Sequence, residues 1–288
     1  MAHDDYIPYR EVAGVLKLQA GETVLLTSDI LKLAMTAKKE EKEFNISEFL
    51  QSFSRAIGPE GTLLIPAYNF DLEDGDTFDL RKTMPMTGSL GIAAMGDNEF
   101  VRTWHPLHSF LVKGKDASLL ASKRNISSFG LDSPFAWLHE HNALMIFAGT
   151  AVAEAMTFTH YVEETEQVWY RKYKKLTVNY SDADGSTTKQ HFRIYAKKAG
   201  WTMQMQGLEK LFPDQKLRRY TINGIDFFCV RCRDVYDVVS QDIRENNARS
   251  IAVFSLKLYF RDILKSCLRR FNLFTTTYGK IRSAKRTS

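Results

Sequence analysis

The chain has 288 residues, 44% of them hydrophobic and 25% charged, with a formal net charge of +5. That balance suits a soluble globular protein whose core is large enough to need no metal or disulfide support. Three cysteines make no disulfide framework, no apolar run approaches a membrane span and the polar amino terminus lacks a signal-like apolar stretch, so secreted disulfide scaffolds and integral membrane proteins are excluded and a cytoplasmic protein is expected.

Apolar positions between Tyr9 and Leu18 are spaced for a short helix, and Gly21-Glu22 turns the chain into residues 23–27, a continuous apolar run read as a buried parallel strand. Ser28-Asp29 follows at its carboxyl end, where open α/β sheets bind ligands. Asp29 also serves as a cap for a helix over residues 30–34, and that role is preferred. The alternating charges of residues 38–43 read as solvated surface. Asn45, with Glu48 three residues on, marks a capping box for a helix over residues 46–57 whose Phe49, Leu50, Phe53 and Ile57 share one face. Residues 58–61 form a turn and residues 62–66 a second buried strand, which makes a βαβ unit and predicts parallel pairing with a right-handed crossover.

The next loop is acidic, with Asp71, Glu73, Asp74, Asp76 and Asp79. Such a loop can face an ammonium or polyhydroxylated ligand, yet Asp-Gly-Asp is also ordinary turn chemistry, and the spacing does not fit a calcium loop. Thr87-Gly88-Ser89-Leu90-Gly91 opens a helix whose first free N–H groups favour an anion, without matching a Walker A or Rossmann fingerprint. Residues 111–112 read as strand, residues 136–140 as helix, and residues 144–149 as a third buried strand ending at Gly149-Thr150. A helix carrying Met156-Thr157-Phe158-Thr159-His160-Tyr161-Val162-Glu163-Glu164 follows that strand end. His160 and Glu163 stand three apart, so imidazole and carboxylate share one helical face. A carboxylate holding one imidazole nitrogen raises the basicity of the other, which makes the pair either a general base with its orienting partner or a surface ion pair; Glu164 is the reserve partner.

Residues 177–195 alternate around Asp182-Ala183-Asp184-Gly185, a hairpin pattern. Cys229 and Cys232 have the spacing of half a zinc site but lack a second pair, so residues 225–232 are read as a half-buried strand. Residues 235–243 are expected to be helical. Residues 251–268 are expected to form a terminal helix against the core or a partner, the core being preferred. Lys265, Arg269, Arg270, Lys280, Arg282, Lys285 and Arg286 make residues 265–288 a basic tail, read as a solvated end because no nucleic-acid recognition motif accompanies it.

Five motifs occur in one order: Gly61-Thr62-Leu63-Leu64-Ile65-Pro66-Ala67-Tyr68-Asn69-Phe70-Asp71, Arg102-Thr103-Trp104-His105-Pro106-Leu107-His108-Ser109-Phe110, Ser128-Phe129-Gly130-Leu131-Asp132-Ser133-Pro134-Phe135, Gly149-Thr150, and the block from Thr157 to Glu163. Together they resemble the aminoglycoside 3-N-acetyltransferase family, and in particular its branch associated with bacterial surface-polysaccharide loci. The resemblance implies an α/β fold with a central mostly parallel or mixed sheet flanked by helices, distinct from the GNAT fold. It also implies one catalytic domain over residues 1–264, with a less family-like lobe around residues 175–242.

The activity implied is that of a coenzyme A-dependent N-acyltransferase moving an acetyl group directly from acetyl-CoA to the primary amine of an activated, nucleotide-linked amino sugar in lipopolysaccharide O-antigen or other surface-glycan biosynthesis. The alternative is an aminoglycoside acceptor and antibiotic resistance. No metal is expected, the partners are the two small molecules, and homo-oligomerisation stays open. By the same resemblance His160 is the base and Glu163 its orienting carboxylate, with Thr157 and Ser109 as oxyanion donors. Ser28, His105, Ser109 and Ser133 border the acyl donor, and Tyr68, Asn69, Asp71 and Asp132 contact the acceptor. Met156 departs from the pattern, standing where the family commonly has Asn.

Overall fold

The computed structural model of the chain describes residues 6–213 and 215–270; Lys280, Arg282, Lys285 and Arg286 of the expected tail lie outside the described residues. The first helix is shorter than the apolar spacing suggests, a 3-10 turn at Tyr9–Glu11 leading into α1 (Val12–Val15). β1 (Thr23–Ser28) is followed by α2 (Ile30–Lys39), whose first turn is capped by the Asp29 carboxylate accepting the Lys32 N–H at 3.0 Å. The helix takes in Lys38 and Lys39, previously read as surface charge, because cations suit the carbonyl end of a helix. α3 (Ile46–Ile57) has the bounds read from the sequence, with Asn45 Oδ1 accepting the N–H groups of Ser47 and Glu48.

β2 (Thr62–Tyr68) runs two residues past Pro66, followed by β3 (Thr77–Asp79), α4 (Ser89–Met95), β4 (Val101–Arg102), β5 (His108–Gly114), α5 (Ala117–Ser122), α6 (Pro134–Glu140) and β6 (Leu144–Ala148). Next come α7 (Val152–Ala155) and α8 (Thr159–Thr165), then the long hairpin β7 (Arg171–Ser181) and β8 (Thr187–Lys197). The described part of the chain closes with β9 (Trp201–Met203), β10 (Arg218–Ile222), β11 (Ile225–Arg231), α9 (Cys232–Asn246), β12 (Ala252–Phe254) and α10 (Leu256–Arg270).

The central sheet has the order β10-β11-β6-β1-β2-β5-β4. β1 pairs in parallel with β2 and β6, while β5 and β11 join antiparallel on either side, so the sheet is mixed. Its faces are both covered, as the near-continuous apolar runs require. Leu25, Leu64, Phe110, Met145 and Phe147 pack into one apolar cluster, and Val24, Leu26, Ile65, Leu111 and Ile146 into the other. Each such side chain contributes about 1.5–3 kcal/mol on burial. A three-stranded sheet, β3-β7-β8, stands apart over Phe78, Trp104, Tyr180 and Phe192. The expected core packing of the last helix is corrected: Leu256, Phe260 and Leu264 of α10 are 60–67% exposed.

Candidate active site

The site begins where two strands part. β1 pairs with β2 only as far as Leu25 and Leu64, whereas it stays with β6 through Ser28. Pro66 lies just beyond the split, and a residue with no N–H to donate is tolerated there because no ladder bond to β1 is due. The crevice that opens is a cavity of about 210 Å³. Leu26, Ile65 and Leu90 form apolar walls, Tyr68 and Thr157 line its inner end, and Ser28 Oγ is buried beside it with no protein partner. This is the carboxyl end of parallel strands, where α/β sheets take ligands. Gly149, at φ +74°, turns the chain out of β6 and toward α7 and α8.

His160 sits in the first turn of α8, its N–H donating to the Thr157 carbonyl at 3.0 Å, so base and cavity are joined through Thr157. Its Nδ1 is 2.6 Å from Glu163 Oε2. Glu163 is fully buried, and its remaining capacity is filled by the Tyr170 hydroxyl at 2.7 Å on Oε1 and Arg171 Nη2 at 2.8 Å on Oε2. Burial alone would raise the Glu163 carboxyl, but His160, Arg171 and the Tyr170 hydroxyl outweigh it and leave the group below the ordinary carboxylate value. Arg171 Nη2 also lies 2.9 Å from Nδ1, but the ionised carboxylate is closer, at 2.6 Å, and only accepts, so Nδ1 of His160 carries the hydrogen and Nε2 keeps its lone pair. Burial first, then the Arg171 charge, hold the His160 pKa below its usual value against the pull of Glu163. The imidazole is therefore neutral near pH 7, and its side chain is 25% exposed. His160 does not itself line the cavity but adjoins it through the Thr157 backbone, and an oriented, unprotonated Nε2 there can accept a proton from a group about to attack a ligand held in the cavity.

The other sequence-derived residues divide into two groups. Ser28, Tyr68 and Thr157 line the cavity. Ser109, expected as a donor, is not available: its one hydroxyl hydrogen goes to the Ala67 carbonyl at 2.7 Å, and its oxygen accepts from Arg102 Nε at 2.9 Å. Asn69 is likewise held inside, its Nδ2 donating to Met84 O and its Oδ1 accepting from Arg102 Nη2. Ser133 caps α6, and His105 is buried with its Nδ1 taking the Leu107 N–H. Asp71 and Asp132 are exposed, and neither lines the cavity. The acidic loop is turn chemistry: Asp74 accepts from Thr177 N–H, Asp76 from Glu73 N–H, and Asp79 from Arg81 and Lys82 N–H.

Glu164 is turned to Ser127 Oγ at 2.5 Å and Tyr173 OH at 3.3 Å, which separates it from the base. Met156 is buried among apolar neighbours. Cys229 and Cys232 are free thiols buried at the end of β11 and the start of α9, and no cluster of three metal-ligating side chains occurs among the described residues. Tyr170 and Arg171, which complete the carboxylate's shell, belong to the run Tyr170-Arg171-Lys172-Tyr173-Lys174 to which the family resemblance extends, but no helical period ties them to Glu163, so their role in the site was not assigned from the sequence.

The family model described as aminoglycoside 3-N-acetyltransferase matches residues 37–244. Among solved structures, the chain is similar to AAC-IIIb in a binary complex with CoASH, at 14% identity and a TM-score of 0.68, covering 84% of this chain and 98% of that one. It is similar to aminoglycoside acetyltransferase AAC(3)-Xa at 17% identity and a TM-score of 0.69, over 83% and 92% of the two chains. The YokD protein from Bacillus subtilis matches at 15% identity and a TM-score of 0.68, over 85% and 96%. A comparison with curated proteins returns no match.

Proposed function

The chain belongs to the aminoglycoside 3-N-acetyltransferase family of coenzyme A-dependent N-acetyltransferases, and from that premise we propose that it acetylates the primary amine of an activated, nucleotide-linked amino sugar used in a bacterial surface glycan such as the lipopolysaccharide O-antigen. The observation that carries the chemistry is the His160–Glu163 pair at 2.6 Å beside the cavity at the strand ends. AAC-IIIb is a structure with CoASH. The cavity here fits the same donor, since a pantetheine arm needs apolar walls and a few hydroxyl partners, and the unpartnered Ser28 hydroxyl supplies one.

In this reading acetyl-CoA lies with its thioester at the inner end of the cavity, near Tyr68 and Thr157. The acceptor amine is an ammonium at neutral pH and must lose one proton to solvent before it attacks, and a second leaves as the nitrogen–carbon bond forms. His160 Nε2 takes the proton as the nitrogen–carbon bond forms, and Glu163 stabilises the imidazolium. The carbonyl electron pair moves to oxygen, returns as the carbon–sulfur bond breaks, and the coenzyme leaves as a thiolate that receives a proton from His160 or solvent. Transfer is direct. Both cysteines near the sheet are buried, and burial pushes the Cys229 thiol up to about 12, which disfavours an acyl-enzyme on sulfur.

The amino-sugar acceptor is supported by the surface-polysaccharide character of the motifs and by a net charge of +5, which suits an anionic nucleotide sugar better than a polycation. A second reading, an aminoglycoside acceptor, is favoured by the relatives, among them a structure of AAC-VIa bound to sisomicin. In the acidic loop that would have supported it, Asp76 and Asp79 are engaged in local turns and Asp74 holds the Thr177 N–H of β7. Thiol release from acetyl-CoA, measured against a panel of UDP-linked amino sugars and a panel of aminoglycosides, tests both. Turnover on the first panel that His160→Ala abolishes supports the proposal, turnover confined to the second transfers it to the alternative, and silence on both sinks the two readings.

A further inference from the structure

The oxyanion formed on the thioester needs a hydrogen-bond donor, and Ser109, which the sequence offered, has spent its proton on Ala67. Strand alternation points to its neighbour. In β5 successive side chains face opposite sides of the sheet, and His108 pairs directly with Tyr68 of β2, so the two rings share a face at 5.2 Å between centroids. Tyr68 and Phe70 line the cavity, and the Phe70 ring is 5.7 Å from His108. On its other side His108 lies 4.7 Å from Phe129, which is 5.6 Å from the His160 ring. His108 therefore flanks the junction between the channel and the base, where the thioester carbonyl must lie for attack.

A chain of buried hydrogen bonds sets its tautomer. The Leu107 N–H donates to His105 Nδ1 at 3.3 Å, which leaves the hydrogen of neutral His105 on Nε2. The hydrogen of His105 is shared among Ser128 Oγ, 3.3 Å from Nε2, and the Ile126 and Arg193 backbone carbonyls, so His105 Nε2 does not accept from Ser128 and the Ser128 hydroxyl donates to His108 Nδ1 at 2.9 Å. His108 then carries its hydrogen on Nε2, an atom with no hydrogen-bond partner among the described residues, in a residue 7% exposed that packs against the cavity-lining Tyr68 and Phe70 without lining the cavity itself.

We propose that His108 presents its Nε2–H to the carbonyl oxygen of the acetyl donor, with Ser128 and His105 as the positioning residues that hold it in that tautomer. The proposal rests on the acetyl-transfer reading above. Burial first, then the neighbouring His105, His160 and Arg171, hold the His108 pKa well below its usual value, so the ring stays neutral and donates from one nitrogen only. As the amine nitrogen bonds to the carbonyl carbon, the electron pair displaced onto oxygen meets this N–H. When the pair returns and the carbon–sulfur bond breaks, the donor is unchanged, and no proton leaves His108.

The test uses acetyl-dethia-CoA, in which a methylene replaces sulfur and makes the carbonyl a stable ketone, labelled with 13C at that carbon. On binding to the wild-type protein the carbonyl resonance moves downfield; the move is retained in His108→Gln, whose amide N–H replaces Nε2–H, and lost in His108→Ala with ligand affinity changed by only a few fold. Ring 15N shifts report an Nε2–H tautomer for His108 in the wild type and a mixed population in Ser128→Ala. With acetyl-CoA and the best amine of the two panels, kcat falls about 10²–10³-fold in His108→Ala and is largely restored in His108→Gln. An equal 13C shift in wild type and His108→Ala overturns the role of His108 while leaving acetyl transfer in place. Failure of the wild type to bind the analogue overturns the coenzyme reading and this proposal together.

Discussion

Glu163→Gln changes one atom in a fully buried side chain and removes a charge on which three groups depend: His160 Nδ1 at 2.6 Å, Arg171 Nη2 at 2.8 Å and the Tyr170 hydroxyl at 2.7 Å. The glutamine amide has donors of its own, and one turned to His160 Nδ1 forces the hydrogen onto Nε2, the atom that must accept the amine proton. Loss of an oriented base costs about 10²–10⁴-fold in kcat. Arg171, whose side chain is only 5% exposed, keeps its contact to the Tyr195 carbonyl at 2.9 Å but loses its counter-ion. Removing one member of a buried pair costs about 3–5 kcal/mol, and the partial hydrogen bonding left to Arg171 places the expected loss of stability at the lower end.

The pH dependence has a definite sign. Glu163 is what holds the His160 pKa up against burial and Arg171, so its neutral replacement drives that pKa further down, and the acid limb of any residual kcat/KM profile moves to lower pH. Steady-state kinetics across pH 5–9 and urea unfolding of the same variant read both effects. A Glu163→Gln enzyme within twofold of wild-type kcat, with an unmoved acid limb, would refute the assignment of Glu163 as the carboxylate that orients the base.

Three further outcomes are expected. His105, His108 and His160 all have pKa values lowered by burial, His105 to about 3. The unfolded chain therefore binds more protons below the ordinary histidine value near 6.5, and stability present above that pH is lost progressively as pH falls toward 3, seen as a declining urea midpoint; a midpoint constant between pH 7 and 5 would contradict this. Arg102→Met leaves the Thr83 carbonyl and Asn69 Oδ1 without their buried donor, while the Ala67 carbonyl keeps the Ser109 hydroxyl, and it destabilises the fold by about 3 kcal/mol, measured by urea unfolding. Ser28→Ala removes one hydroxyl partner of the donor arm, so KM for acetyl-CoA rises about 2–12-fold with kcat little changed; an equal fall in kcat would place Ser28 at the transition state instead.

The parts of this protein written into its sequence are those enforced by short-range geometry. Asn45 announces the start of α3 because a cap bonds N–H groups two and three residues away. The βαβ unit follows from apolar runs long enough to be buried on both faces, and His160 and Glu163 meet because a helix brings residues three apart together whatever surrounds it. The motif order pointed to the family from residues 61 to 163, and the family model then matched residues 37–244. Pro66 was visible too, although its meaning, a strand leaving its neighbour to open a crevice, required knowing which strands pair.

Other features depended on register and closure between distant segments. Whether Ser109 or His108 shares the sheet face of the cavity-lining Tyr68 is a matter of one-residue parity in β5, settled by the pairing of His108 with Tyr68 across 40 positions of sequence. Arg171 and Tyr170 reach Glu163 because β7 returns against α8, and Ser128 joins His105 to His108 only when its loop packs against the segment that carries both histidines. Tertiary structure decided these contacts because a side chain's partners across a sheet or a core are fixed by how the whole chain closes, a global property with no local period in the sequence to reveal it.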